Sequence, residues 1–420
     1  MRPQSLLSLL VGAAVAAGGI LQGLQWKKTA DAAADVDLQG RITALENEVN
    51  LLTRENESLR SLAQGGGEIN VPGELVGFVE KALGMSYRSS PVVHQIAAEE
   101  LRDRVTASIE SRYPPNSLDH RQQAWALMGL LTPNDRFAPQ LAAMRSLGAR
   151  SWFDDQTGDA WVTNRYDEAS VPDQSALIRV LGRILIHQNY PPPPGYPGDE
   201  PANSREALHH GAAMAVENRF LARQAVGIGF AGTQTDSGAR DLLESLPVFV
   251  KGIATFPSLQ GTPRAERLID QEKLLETLHS PPQTTSWFFP SDEVPATMNP
   301  VVPEPSASSV IVESAGMLGL QLWLQTLDPE LAPLAHAWRG DQYELTATDD
   351  SSLDLVWNIR LEDEDSANEL LELALAMSGA LAQSDTDPEL DEVITSPDGR
   401  RISVSKPQPD SIRFSNLSPE

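Results

Sequence analysis

The sequence predicts an α+β chain, predominantly helical with a small sheet, led by an N-terminal membrane helix and a coiled coil. Three observations carry this expectation. A 20-residue uncharged run lies near the N-terminus, a heptad seam follows it, and from Val71 onward apolar residues recur at three-and-four spacing with a few β-rich stretches between them.

Residues 1–28 read as a membrane anchor or signal segment. The run SLLSLLVGAAVAAGGILQGL (5–24) carries no charge, with Arg2 before it and Trp26-Lys27-Lys28 behind it. That length crosses a hydrocarbon layer of ~30 Å. A cleaved leader usually has a shorter apolar stretch, so length favours an uncleaved anchor, while AVAAGG supplies the small residues that cleavage needs. The bulk of the protein is then expected outside the cytoplasm, periplasmic or extracytoplasmic.

Residues 29–63 read as a coiled coil. Ile42, Val49 and Asn56 fall at a, and Leu45, Leu52 and Leu59 at d. A β-branched a with leucine at d favours two parallel strands, and one a-position Asn fixes register. Arg41 with Glu46, and Glu55 with Arg60, are g-to-e′ pairs of opposite sign. A parallel homodimer through 36–63 is expected, followed by a Gly-rich linker over 64–70. The plainer reading is one amphipathic helix lying on its own domain.

The globular body is expected over 71–420. Helices are predicted for VPGELVGFVEKALGM, VVHQIAAEELRDRVTASIESRY, RQQAWALMGLL and APQLAAMRSL. SWFDDQTGDAWVT changes to a strand–turn–strand pattern. SALIRVLGRILIHQ and SREALHHGAAMAVENRFLARQA return to helix across the polyproline-type loop YPPPPGYPGDEPAN. From about residue 308 a strand–helix–hairpin portion is expected. In it, QYELTATDDSSLDLVWNIRLEDEDSANELLELALAM gives two strands and a helix, and RRISVS with SIRFSN a closing hairpin.

Composition removes several function classes. Hydrophobic content of 41% and eight tryptophans suit a folded body, and a formal charge of -26 disfavours nucleic acid as a partner. With no cysteine, there are no disulfides, thiolate ligands or cysteine nucleophile. GIGFAGT lacks the lysine of a phosphate-binding loop, and no Gly-x-Ser-x-Gly elbow is present.

The order of the remaining motifs is informative. WALMGLLTPND precedes SWFDDQTGDAWV; SPPQTTSWFFP, HAWRGDQYEL and LVWNIRLEDEDSANE follow downstream. Together with RVLGRILIHQNY and ALHHGAA, this series resembles a bacterial zinc metallopeptidase-like, gluzincin-like family. That family has a helix reading H-E-x-x-H-A-L-x-D-Q and a second helix carrying E-G-D-A. The resemblance runs from about Val71 to the C-terminus and implies a degenerate metallopeptidase-like domain. It places Arg179 at the first histidine ligand, Val180 at the catalytic glutamate and Arg183 at the second histidine. His210 takes the third ligand's place and Ala212 that of the aspartate, while Gly211 and Gln188 are kept. Thr285 and Phe289 replace the Glu and His of the P-P stretch.

Such a site needs neutral or anionic donors and a carboxylate that takes the water's proton. Two guanidinium groups have no usable lone pair, and valine accepts no proton. The sequence therefore implies no catalytic residue, no metal and no cofactor, and a pseudoenzyme with Arg179, Val180, Arg183 and His210 as vestigial positions. His187, Gln188, Glu206 and Glu217 are expected as cleft neighbours. In the plainer reading the two arginines pair with Glu206 or Glu217; in the sharper one they bind a carboxylate such as a peptide C-terminus. Trp152, Trp338 and Trp357 are expected in the core, and EDEDSANE at a solvated helix start.

A binding or scaffolding module at the envelope, with a protein or peptide partner, follows from this reading. One rival is an active zinc metallopeptidase with an atypical ligand set built on His187 and His210. The other is a purely structural role for the stalk.

Overall fold

The computed structural model describes residues 67–224, 243–289, 305–348, 352–384 and 388–419. The expected anchor (1–28), the coiled coil (29–63) and the GIGFAGT stretch (227–233) lie outside the described residues. Among the described residues no helix is long and apolar enough to cross a membrane. The body forms one unit over Glu68–Glu420. It therefore takes in the end of the expected linker: Ile69 N donates to Val93 O at 2.9 Å.

The chain runs α1 (Gly73–Leu83), β1 (His94–Ile96), α2 (Leu101–Ser111), α3 (Ser117–Met128), α4 (Phe137–Ser146), β2 (Ser151–Phe153) and β3 (Ala160–Thr163). Then come α5 (Val171–Asn189), α6 (Asp199–Gln224), α7 (Val248–Phe256), a π-turn (Pro257–Gly261), α8 (Thr262–Asp270) and α9 (Leu274–His279). The last part comprises β4 (Ser309–Glu313), α10 (Gly316–Leu327), β5 (Trp338–Ala347), β6 (Leu353–Leu361), α11 (Glu364–Ala382), β7 (Val393–Thr395), β8 (Arg401–Gln408) and β9 (Ser411–Leu417). The body is mixed α and β, predominantly helical, as the sequence predicts.

Helix α5 is the spine of the helical part. Ser170 caps it by accepting from Asp173 N, Pro172 presets its first turn, and the proline run 191–194 follows its end. Its apolar residues, Leu177, Ile178, Leu181, Leu185 and Ile186 among them, are buried all round the axis. Helix α6 packs along it, while α8 and the π-turn pack on α6. Gly211 of α6 meets Gly261 of the π-turn backbone to backbone; a Cβ on Gly211 would overlap the Gly261 carbonyl.

Two sheets frame these helices. The smaller has the order β1-β3-β2, with β1 parallel to β3 and β2 antiparallel to it. The predicted helix over VVHQIAAEEL is thus corrected: its first residues form β1, paired His94↔Trp161 with a strand far along the chain. The larger sheet is antiparallel, in the order β4-β5-β6-β9-β8-β7, so the C-terminal sheet has six strands rather than being small.

One carboxylate joins this sheet to α10. Asp341 of the WRGDQY stretch accepts from Trp338 Nε1 (3.0 Å), Trp357 Nε1 (2.8 Å), Ser314 Oγ (2.6 Å), Ala315 N (2.8 Å) and Gly316 N (2.9 Å). The last two are backbone donors at the start of α10, where negative charge is favoured. Trp338 and Trp357 are buried core residues. At the start of α11, Asp363 accepts from Ser366 N at 2.8 Å, and Glu364 and Asp365 occupy the first turn.

A second buried joint forms at the start of α6. Arg121 pairs with Asp199 (2.9 Å) and Glu313 and lies over the Tyr196 ring at 4.8 Å, while Tyr343 Oη donates to Asp199 Oδ2 at 2.8 Å. Beside it, Glu200 accepts from Thr285 N and hydrogen-bonds Thr285 Oγ1, both at 2.8 Å. Burial, together with Asp341 and Asp199 nearby, pushes the Glu200 carboxyl up to about 8.

Candidate functional site

A cleft of about 200 Å³ opens where α5, α6, the β2–β3 hairpin and the π-turn meet. Arg179, Val180 and Arg183 reach it from α5, because residues one turn apart share a helix face. Glu206 and His210, likewise four apart, reach it from α6. The four vestigial positions, Arg179, Val180, Arg183 and His210, therefore line one cleft, whereas Ala212, Thr285 and Phe289 do not line it.

Each ionic group there has a particular partner. Arg179 Nε stands 3.0 Å from Glu217 Oε2, misaligned for a hydrogen bond, and Nη2 donates to Oε1 at 3.4 Å. Arg183 pairs with Asp155 and lies over the Phe153 ring at 5.6 Å. Glu206 accepts instead from Arg112 Nη1 and pairs with Arg145 Nη2, both at 2.8 Å. Of the two expected acidic partners, Glu217 takes Arg179 and Glu206 takes neither arginine of α5.

Asp155 is available because its neighbour closes the turn. Asp154 N donates to Asp159 O, Gly158 N to Asp154 O, and Asp154 Oδ1 accepts from Gln156 N. Gly158 has φ +78°, and His187 lies where a Cβ would stand, 2.8 Å from Cε1. Only glycine fits there. His187 Nε2 shares a hydrogen bond with Asp155 O at 3.1 Å, so this histidine is occupied beneath the turn. Gln188 lies outside the cleft: its Oε1 accepts from Arg88 N (2.8 Å) and Ser89 N (3.2 Å).

Electrostatics follow from these pairings. Burial would raise the Glu206 carboxyl, but Arg145, Arg112 and Arg183 outweigh it and hold Glu206 well below the usual carboxylate range. Against its own burial, Asp155 is likewise held low by Arg183. Burial, then the charge of Arg183, pushes His209 and His210 down to about 3, so both are neutral at pH 7. His210 Nε2 shares a hydrogen bond with Ser258 Oγ at 3.3 Å.

Four guanidinium groups (Arg112, Arg145, Arg179, Arg183) thus face three carboxylates (Asp155, Glu206, Glu217), leaving one positive charge in excess. Three of these cations also lack a full set of hydrogen-bond partners: among the described residues, Arg145 Nη1, Arg179 Nε and Arg183 Nε have none, although Arg179 Nε keeps its ionic contact with Glu217. Trp152, expected in the core, is half-buried at the cleft wall, with Nε1 unpartnered.

These residues do not fit a zinc ion. His187 and His210 have separate hydrogen-bond partners, and among the described residues no three His, Asp or Glu side chains are grouped to hold a metal. The cationic face of α5 repels a dication.

Arg112, Arg145, Asp155 and Ser258 are absent from the sequence-derived site. Arg112 lies at the end of α2 and Arg145 in the last turn of α4, where a cation complements the helix dipole and needs no site to explain it. Comparison with protein-family models, with characterised proteins and with solved structures finds no match for the chain.

Proposed function

We propose that the protein is a catalytically inactive, membrane-anchored, metallopeptidase-like protein acting as a binding or scaffolding module at the cell envelope. In this reading residues 1–28 tether it and residues 36–63 pair two copies in parallel. The observation that carries the reading is the state of the α5 face. Where the resemblance would place two zinc ligands and a general base stand Arg179, Val180 and Arg183, with the arginines tied to Glu217 and Asp155. Ligands and base are replaced together, so hydrolysis of this type has neither metal nor proton acceptor. A cleft of about 200 Å³ remains open beside them, which suits binding.

The test is a metal and activity assay on the full chain purified in detergent. After incubation with zinc and dialysis, metal content should be far below one per chain, and a mixed peptide pool should survive intact with or without chelator. One zinc per chain, removed by chelator together with peptide cleavage, would establish the active metallopeptidase with an atypical ligand set instead.

A further inference from the structure

We infer that the cleft between α5 and α6 receives a carboxylate flanked by an apolar group, as presented by the C-terminus of a peptide. This deepens the binding-module reading and rests on it.

The argument begins with the cations. Arg112 and Arg145 share one carboxylate, Glu206, although each guanidinium carries five N–H donors. The side chains of Arg145 and Arg183 are 9% and 7% exposed, and each retains an N–H without a partner. A buried donor left unpaired costs free energy, and two guanidinium groups around one carboxylate repel each other. A further anion in this cleft supplies the missing acceptor and the missing charge at once. Carboxylates match the guanidinium fork, with two oxygens for paired N–H donors.

Charge on the rest of the chain narrows the ligand. At a formal -26 the chain repels polyanions at long range, whereas a cationic, low-dielectric recess focuses a local positive potential. A single charge on a small footprint is favoured over a polyphosphate. The other wall narrows it again. Val180 lies beside the two arginines on α5, and Trp152, Phe153, Ala254 and Pro257 add apolar surface. An anion with a hydrophobic neighbour satisfies both walls, and that combination occurs at the end of a peptide whose last residue is apolar. A free N-acyl amino acid carries the same chemistry and is separated by experiment.

The test uses the full chain in detergent and calorimetric titration, with mass spectrometry of each probe afterwards. Four probes are compared: an acetylated pentapeptide ending in phenylalanine, its C-terminal amide, N-acetylphenylalanine and inorganic phosphate. The expected result is that the peptide acid binds at least tenfold more tightly than the amide and than phosphate. N-Acetylphenylalanine at equal affinity would assign the site to the small acid and overturn the peptide assignment. Equal binding of acid and amide, phosphate binding alone, or no binding of the acid would overturn the carboxylate site itself. Arg145→Met should weaken the acid at least tenfold and leave the amide unchanged. Should that variant not fold, Ser258→Trp, which fills the cleft from its lip, should abolish acid binding. Intact probes after titration keep a failure here separate from a failure of the inactive-module reading, which cleaved peptide would signal.

Discussion

Arg179 Nε lies 3.0 Å from Glu217 Oε2, joining α5 to α6 across positions 38 residues apart in sequence. Glu217 is the buried partner: burial raises its carboxyl, and Arg179 only partly offsets this. Arg179→Met should therefore destabilise the chain by about 1–2 kcal/mol, below the fully buried range because Arg179 is 33% exposed. Adding Glu217→Leu in the same chain should recover at least half of that loss, since the stranded carboxylate is removed as well. Urea denaturation of the two single variants and the double variant measures the coupling.

Glu206 should matter more than Glu217. It compensates two buried guanidinium groups, so Glu206→Gln leaves Arg112 and Arg145 facing each other without a counter-charge. A loss of about 3–5 kcal/mol is expected, the range for breaking a buried ion pair from one side. A loss under 1 kcal/mol would mean that water reaches both arginines.

The pH dependence of stability has two opposed contributions. Glu200 holds its proton to about 8 in the folded chain and releases it near 4.5 when unfolded, so its contribution declines as pH rises between those values. His209 and His210 are pushed down to about 3, so they bind fewer protons folded than unfolded, and their contribution falls as pH drops from 6.5 toward 3. Above pH 6.5 the carboxyl contributions prevail, Glu200 together with Glu313, whose carboxyl is pushed up to about 7 by burial and the charge of Asp199. Glu200→Gln keeps a hydrogen-bonding pair for Thr285 and should make the stability decline from pH 6.5 to 8 shallower, the remainder belonging to Glu313, measured by thermal melts at fixed ionic strength.

Two glycines should respond to alanine in opposite senses. Gly77 sits within α1 with nothing near its missing Cβ, so Gly77→Ala should stabilise by about 0.5–1 kcal/mol. Gly211→Ala drives a methyl into the Gly261 carbonyl and should cost at least about 1–3 kcal/mol, the range for overpacking. Paired melting curves decide both.

Local chemistry made much of this molecule readable. The cap at Ser170, the proline after α5, the Gly158 turn and the two C-terminal hairpins each have a signal within a few residues. Strand β1 does not: three residues ahead of a helix take their conformation from pairing with β3, more than sixty positions away. Helix α10, GMLGLQLWLQTL, is apolar on nearly every side, so no stripe announces its axis. The same division holds in the cleft. Arg179 and Arg183 are legible because one helix spaces them, whereas Arg112, Arg145 and Asp155 arrive from three separate elements and become neighbours only in the folded chain.

Asp341 has a consequence for how this chain is compared with others. Its five donors couple two tryptophans, a serine and the first backbone amides of a helix, so exchanging any of them disturbs the rest. The WRGDQY stretch thus answers to the architectural demand of that knot, remote in role from whatever the cleft holds. Sequences sharing the signature would be expected to share a skeleton while differing freely in chemistry, and lineage traced through it would follow the frame rather than the trade practised within it.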